Sequence, residues 1–141
     1  MTDDLTTWLR ARFDDDERVA RAVRDQRWVY RRSHDSAAEQ TDHVLLIGDQ
    51  VVGADNGDDP LTPSEAEHIA RHDPKRVLAE VDAKRRILGW MVDDAGFDLP
   101  ATKTQAMSSE EWYRVTVARV TIKLLALPYA DRDGYRSEWA P

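Results

Sequence analysis

The sequence predicts an α+β fold, mostly helical, with about four helices and a small antiparallel β-sheet inserted after the first helix. Three observations carry that expectation. Apolar residues recur at three- and four-residue steps toward both ends of the chain. A short β-prone stretch with a hairpin signal interrupts them. Cap-and-proline signatures then restart the helical pattern. At 141 residues the chain has the length of one domain, long enough to bury a core without metal or disulfides. A single domain over 1–141 is therefore expected, with residues 128–141 as an aromatic tail packed on its body.

The first helix spans about residues 3 to 25, where Leu5, Trp8, Leu9, Phe13, Ala20 and Val23 share one face. Asp3 and Asp4 suit its positive end, while the acidic run Asp14–Glu17 marks a place for a break. Trp28-Val29-Tyr30, His43–Ile47 and Gln50-Val51-Val52 read as strands over 27–54. Gly48-Asp49 between the last two is a hairpin turn, because glycine supplies the positive φ the turn needs. Residues 33–42 and 54–60 read as polar loops. Thr62-Pro63-Ser64-Glu65 joins an N-cap, a proline at the first helical position and a glutamate at the third, launching a short helix to about His72. Asp73-Pro74 launches a longer one to about residue 94, and Ser108-Ser109-Glu110-Glu111 opens the last, about 109–127, stopped by Pro128.

Composition removes several classes of function. There is no cysteine, so thiolate metal sites and cysteine nucleophiles are excluded. The net charge of −7 argues against a general nucleic-acid coat. No apolar run approaches a membrane span, and the acidic N-terminus does not suit a signal peptide, so a cytoplasmic location is expected. No glycine-rich phosphate loop or G-x-S-x-G elbow occurs, and Ser33-His34-Asp35-Ser36 is adjacency rather than triad geometry. Asp14 and Glu17 share a helical face but Glu80 and Asp82 do not, so the carboxylate pairs of a nucleotide pyrophosphohydrolase are incomplete. No catalytic residue and no cofactor is assigned.

Glu65, His68 and His72 fall on one narrow helix face, the spacing at which two histidines and a carboxylate can share a metal. The alternative is a solvent-facing side beside a helix junction, which is the expectation adopted; His34 and His43 are further ligand types without a known position. Arg12 and Asp16 lie inside the apolar stripe of the first helix, and Lys84 and Arg85 in or beside that of Val77, Val81, Leu88 and Val92. Buried charge must be paired, so an inter-helix ion pair of Asp16 with Lys84 or Arg85 is expected. Arg18, Arg21, Arg24, Arg27, Arg31 and Arg32 face only Asp25, with Trp28 and Tyr30 interleaved. That is the pattern of a single-strand nucleic-acid surface, set against a solvated face balanced by the acidic run.

Three segments go beyond composition. HIARHDPKRVLAEVDAKRRIL (68–88), IKLLALPYADRDGYRSEW (122–139) and the opening DDLTTWLRARFDDDERVAR (3–21) resemble the signature segments of a family of small actinobacterial proteins of unknown function. That family's tail more usually reads ALPYADHPDYR, from which Arg132-Asp133-Gly134 departs. The helix pair around Asp73-Pro74 is more remotely similar to one in small phage-encoded accessory proteins. The resemblance implies a fold and mobile-element surroundings, and no activity, substrate or cofactor.

The last helix is apolar nearly all round. Trp112, Val115, Ala118, Ile122 and Leu125 line one side; Tyr113, Val117, Val120, Leu124 and Leu127 line another. Such a helix is buried on two sides. The second face is expected to be covered by the sheet, by the tail or by a partner chain, a second copy included. The function read from the sequence is that of a small non-enzymatic interaction protein. A metal- or anion-binding enzyme built on Glu65, His68 and His72 is the second reading, and nucleic-acid binding the third.

Overall fold

The computed structural model describes residues 2–35, 40–54, 61–93 and 107–141. Among these, four helices and three strands follow the expected order. They are α1 (Thr2–Ala22), β1 (Trp28–Asp35), β2 (Gln40–Ile47), β3 (Gln50–Ala54), α2 (Pro63–Arg71), α3 (Pro74–Asp93) and α4 (Ser109–Ala126). Short 3₁₀ turns at Leu127–Tyr129 and Ser137–Trp139 complete the tail. The chain divides into two compact units, residues 1–15 with 81–141, and residues 16–80.

In the second unit the three strands form an antiparallel meander in the order β1-β2-β3. Gly48 turns the hairpin at φ 62°. β1 and β2 are longer than the apolar pattern implies: Ser33 pairs with Asp42, His34 with Thr41 and Asp35 with Gln40. The expected loop over 33–42 is corrected at both ends, where 33–35 and 40–42 are strand; residues 36–39 lie outside the described residues, as do 55–60. Alternation of apolar residues reports burial of a strand face, whereas the backbone ladder extends through polar residues as readily. A register shift between Leu45 and Leu46 accompanies the burial of both side chains, which a regular strand would send to opposite faces. α2 packs on β1 and β2, burying Ala66.

Helix boundaries follow local polar chemistry. α1 runs unbroken through its acidic stretch, where Arg12 pairs with Asp15 at 3.1 Å and Arg21 with Glu17 at 2.7 Å. It stops at Ala22, short of the expected residue 25. There the Asp25 carboxylate accepts from Arg27 N–H at 2.8 Å and its carbonyl accepts from the Trp28 indole at 3.1 Å, fixing a turn instead of another helical step. Thr62 and Glu65 form a reciprocal capping box on α2, and Ser108 and Glu111 another on α4. At α3 the Asp73 carboxylate caps Arg76 N–H at 2.8 Å, and the Gln26 carbonyl takes Lys75 N–H at 3.0 Å.

The first unit buries Leu5, Leu9 and Phe13 of α1, Val81, Leu88 and Met91 of α3, and Val115, Ala118, Ile122 and Ala126 of α4. The tail ties these helices together. Tyr129 is buried, edge-on to Phe13 with centroids 6.1 Å apart, and its hydroxyl lies 3.4 Å from Lys84 Nζ. Trp139 is buried, and with Tyr135 it forms a three-ring cluster on Trp8, at centroid distances of 5.3 and 5.7 Å from that ring. The Trp8 indole donates to the Asp133 carbonyl at 3.0 Å, and Arg136 pairs with Asp4 at 3.1 Å. Lys123 of α4 donates to the carbonyls of Ala140 at 2.8 Å and Glu138 at 3.3 Å.

Gly134 makes the Trp8 contact possible. Its φ is 83°, and a Cβ there would sit 3.0 Å from the indole nitrogen. Gly134→Ala should therefore cost about 1–3 kcal/mol, since it adds backbone strain and displaces the indole from its acceptor. Gly89, inside α3 with open space where a Cβ would stand, should respond oppositely, gaining roughly 0.5–1 kcal/mol as alanine. Urea midpoints of the two variants, one falling and one rising against the parent, check the assignment.

Candidate functional site

The most distinctive surface is the outward face of α4. Its buried residues Val115, Ala118, Ile122 and Ala126 point into the first unit. On the opposite side Tyr113, Val117, Val120, Leu124 and Leu127 remain exposed, from 39% at Val117 to 65% at Tyr113. Within the first unit the tail leaves this face uncovered. Trp112 is likewise 56% exposed rather than buried beside Val115, because it lies about 80° round the helix from the buried centre. The stripe steps by four, three, four and three residues, which is the a/d spacing of a heptad and the seam of paired helices.

Polar groups flanking the stripe are already satisfied. Arg114 lies 3.9 Å from Glu110 one turn back. Thr116 donates to the Trp112 carbonyl at 2.8 Å, and Lys123 is held by the tail carbonyls. The face is therefore an apolar ridge with little free charge at its edges. Such surfaces mark docking sites when they are contiguous.

The histidine face is organised for structure. Glu65 accepts from both the Thr62 backbone N–H at 2.8 Å and the Thr62 hydroxyl at 2.6 Å, so its carboxylate belongs to the α2 cap. Those hydrogen bonds, the side-chain one foremost, hold it below the ordinary carboxylate value; Glu111 is lowered in the same way by Ser108, its backbone N–H foremost. His68 and His72 are exposed, their ring centroids 4.4 Å apart, with His72 Nδ1 2.9 Å from the His68 carbonyl. Among the described residues no three His, Cys, Asp or Glu side chains are grouped for a metal. The His34 side chain lies outside the described residues; its backbone pairs with Thr41. His43 sits on β2, where Nδ1 hydrogen-bonds the Tyr30 hydroxyl and the two rings stack in parallel, centroids 5.8 Å apart.

Several charges of the α1 and α3 stripes form polar contacts at the surface of the first unit. Arg85 pairs with Asp14 at 2.5 Å, the carboxylate being 71% exposed. Arg12 reaches Asp15 and lies over the Trp8 ring at 5.5 Å, and Lys84 serves Tyr129. Asp16 is half-buried, has interactions of its own and belongs to the other unit. The four carboxylates weighed for a pyrophosphohydrolase are each in an ion pair: Asp14 with Arg85, Glu17 with Arg21, Glu80 with Arg76 and Asp82 with Arg86. In the arginine-rich segment Arg18, Arg24, Arg27, Arg31 and Arg32 are exposed and Arg21 holds Glu17. Trp28 and Tyr30, which would have to stack on bases, are half-buried and hydrogen-bonded within the unit.

The four stripe positions 113, 117, 120 and 124 were legible as an apolar face; their heptad spacing was the further signal that marks them as a seam. The Tyr30–His43 pair and the Trp8 cluster had no such local signal, since their members are distant in sequence. Among the described residues no helix is long and apolar enough to cross a membrane. No curated protein and no solved structure matches this chain. The model of one family, a family of unknown function (DUF6221), matches residues 2–141.

Two outcomes test these roles. The capping carboxylates contribute stability that is complete above their ordinary value of 4.5 and lost as pH falls through their lowered folded values. The double variant Glu65→Gln/Glu111→Gln should thus be less stable than the parent at pH 7, with the gap closing below about pH 4 in thermal melts. Asp14→Ala should change stability by less than about 1 kcal/mol by urea titration, as exposed ion pairs do.

Proposed function

The chain belongs to that family of unknown function, and we propose that it is a small non-enzymatic interaction protein whose working surface is the exposed stripe of α4. The observation that carries this reading is the opposition of two apolar faces on one helix. Val115, Ala118, Ile122 and Ala126 are fully used by the fold, while Tyr113, Val117, Val120, Leu124 and Leu127 are left in water at heptad spacing. Leaving those side chains solvated forgoes about 1.5–3 kcal/mol for each fully buried Val or Leu equivalent, a loss that burial against a partner would recover.

The candidate acid–base groups support a non-enzymatic role, because Glu65, Asp14, Glu17 and Glu80 are each held in caps or ion pairs. A cytoplasmic site of action fits the cysteine-free, acidic composition. The resemblance of segments 68–88 and 122–139 supports an actinobacterial origin and mobile-element surroundings.

A photo-crosslinking amino acid placed at Val120 tests the surface directly in the native host. A discrete adduct is expected there and not from position 86, an exposed site on α3. The absence of any adduct at 120, or the same adducts from both sites, overturns the proposal.

A further inference from the structure

Resting on that reading of the α4 surface, we infer that the occupant of the stripe is a second copy of this chain, with the two α4 helices packed antiparallel. The stripe is self-complementary in that direction. In an antiparallel pair each a-type position faces a d-type position. Tyr113 then meets Leu124 of the second copy and Val117 meets its Val120, and the same layers recur in reverse order about a two-fold axis. The two central layers contain only valine, which lets the helix axes approach to the roughly 8–10 Å of ordinary helix pairs. The bulky Tyr–Leu layers close the two ends.

Charge agrees with this register. Antiparallel packing sets the flank of Arg114 against Thr121 of the second copy, and that of Lys123 against its Thr116, so no like charges meet. Area agrees as well. The five stripe residues leave on the order of 400–450 Å² of apolar surface per copy, judged from their fractional exposures and the ~150–250 Å² an aromatic side chain can bury. Two copies therefore remove about 800–900 Å² from the stripe, and the flanking Thr116, Thr121 and Arg114 bring the seam to about 1,000 Å², the lower bound of specific interfaces. Helix ordering adds no cost at association, because α4 is already formed by its cap and its buried face.

Because the chain has no cysteine, single-cysteine variants report contacts without interference. Tyr113→Cys and Leu124→Cys proteins, mixed in a glutathione buffer, should form the mixed 113–124 disulfide well above the statistical share. Light scattering of the unmodified protein should give twice 16.1 kDa at micromolar concentration. Thr121→Glu should tighten the dimer and Thr121→Arg loosen it, each by roughly three- to tenfold, since position 121 faces Arg114 twice per dimer. A mass of one chain at every concentration overturns the second copy while leaving any photo-adduct at 120 to identify another partner. Self-disulfides at 113 and 124, or a Thr121 series without opposite effects, overturn the antiparallel register. Val120→Glu should yield a folded single chain by circular dichroism and light scattering; a persistent dimer would overturn the seam itself.

Discussion

The indole N–H of Trp8 is the constraint on which the first unit depends. A partly buried indole needs both apolar neighbours for its rings and an acceptor for its nitrogen. Both come from the tail: Tyr135 and Trp139 supply the rings and the Asp133 carbonyl the acceptor. Meeting that demand fixes the path of residues 129–139, and that path places Tyr129 against Phe13 and Lys84. It also brings the Ala140 carbonyl to Lys123 of α4. Three helices are thus tied to one segment of irregular backbone. Gly134 is the residue that lets this backbone come close enough to the indole.

Features set by neighbours in sequence were legible from the sequence alone. The capping boxes at Thr62–Glu65 and Ser108–Glu111 and the Gly48 turn rest on chemistry within three or four residues, and each forms at the position its residues specify. The small sheet and the order of the helices follow from those punctuation marks and the apolar periods between them. What was not legible depends on distance in the fold. The length of β1 and β2 is set by pairing between Ser33–Asp35 and Gln40–Asp42, whose polar side chains give no alternation to read. That Arg85 reaches Asp14 depends on how α1 is rotated, which a helical wheel does not report. Of the site, the apolar face of α4 was visible, whereas its exposure was not. Periodicity tells which residues share a side, and only the packed chain tells which of two apolar sides is used.

α4 therefore carries two kinds of information on one cylinder. Small and β-branched residues on its inner face, Ala118 and Ala126 beside Val115 and Ile122, permit close packing within the unit. Larger side chains stand on its outer face, and Tyr113 combines apolar area with a hydroxyl that tolerates water while the surface is uncovered. Lys123 separates the two faces and is tied to the tail, so the cation that borders the ridge also anchors the fold.

The partners of Trp8 lie far along the chain, with Asp133 125 residues away. At synthesis rates of about 5–20 residues per second, roughly 6 to 25 s separate the emergence of α1 from that of its acceptor. During that interval Leu5, Leu9 and Phe13 have no tail to complete their enclosure, and the second unit can form its own sheet and α2 first. The nascent chain thus presents an amphipathic helix to the ribosome surface and to chaperones before the unit that will bury it exists. Folding of the first unit is a late, long-range event, whereas that of the second can proceed as it is made.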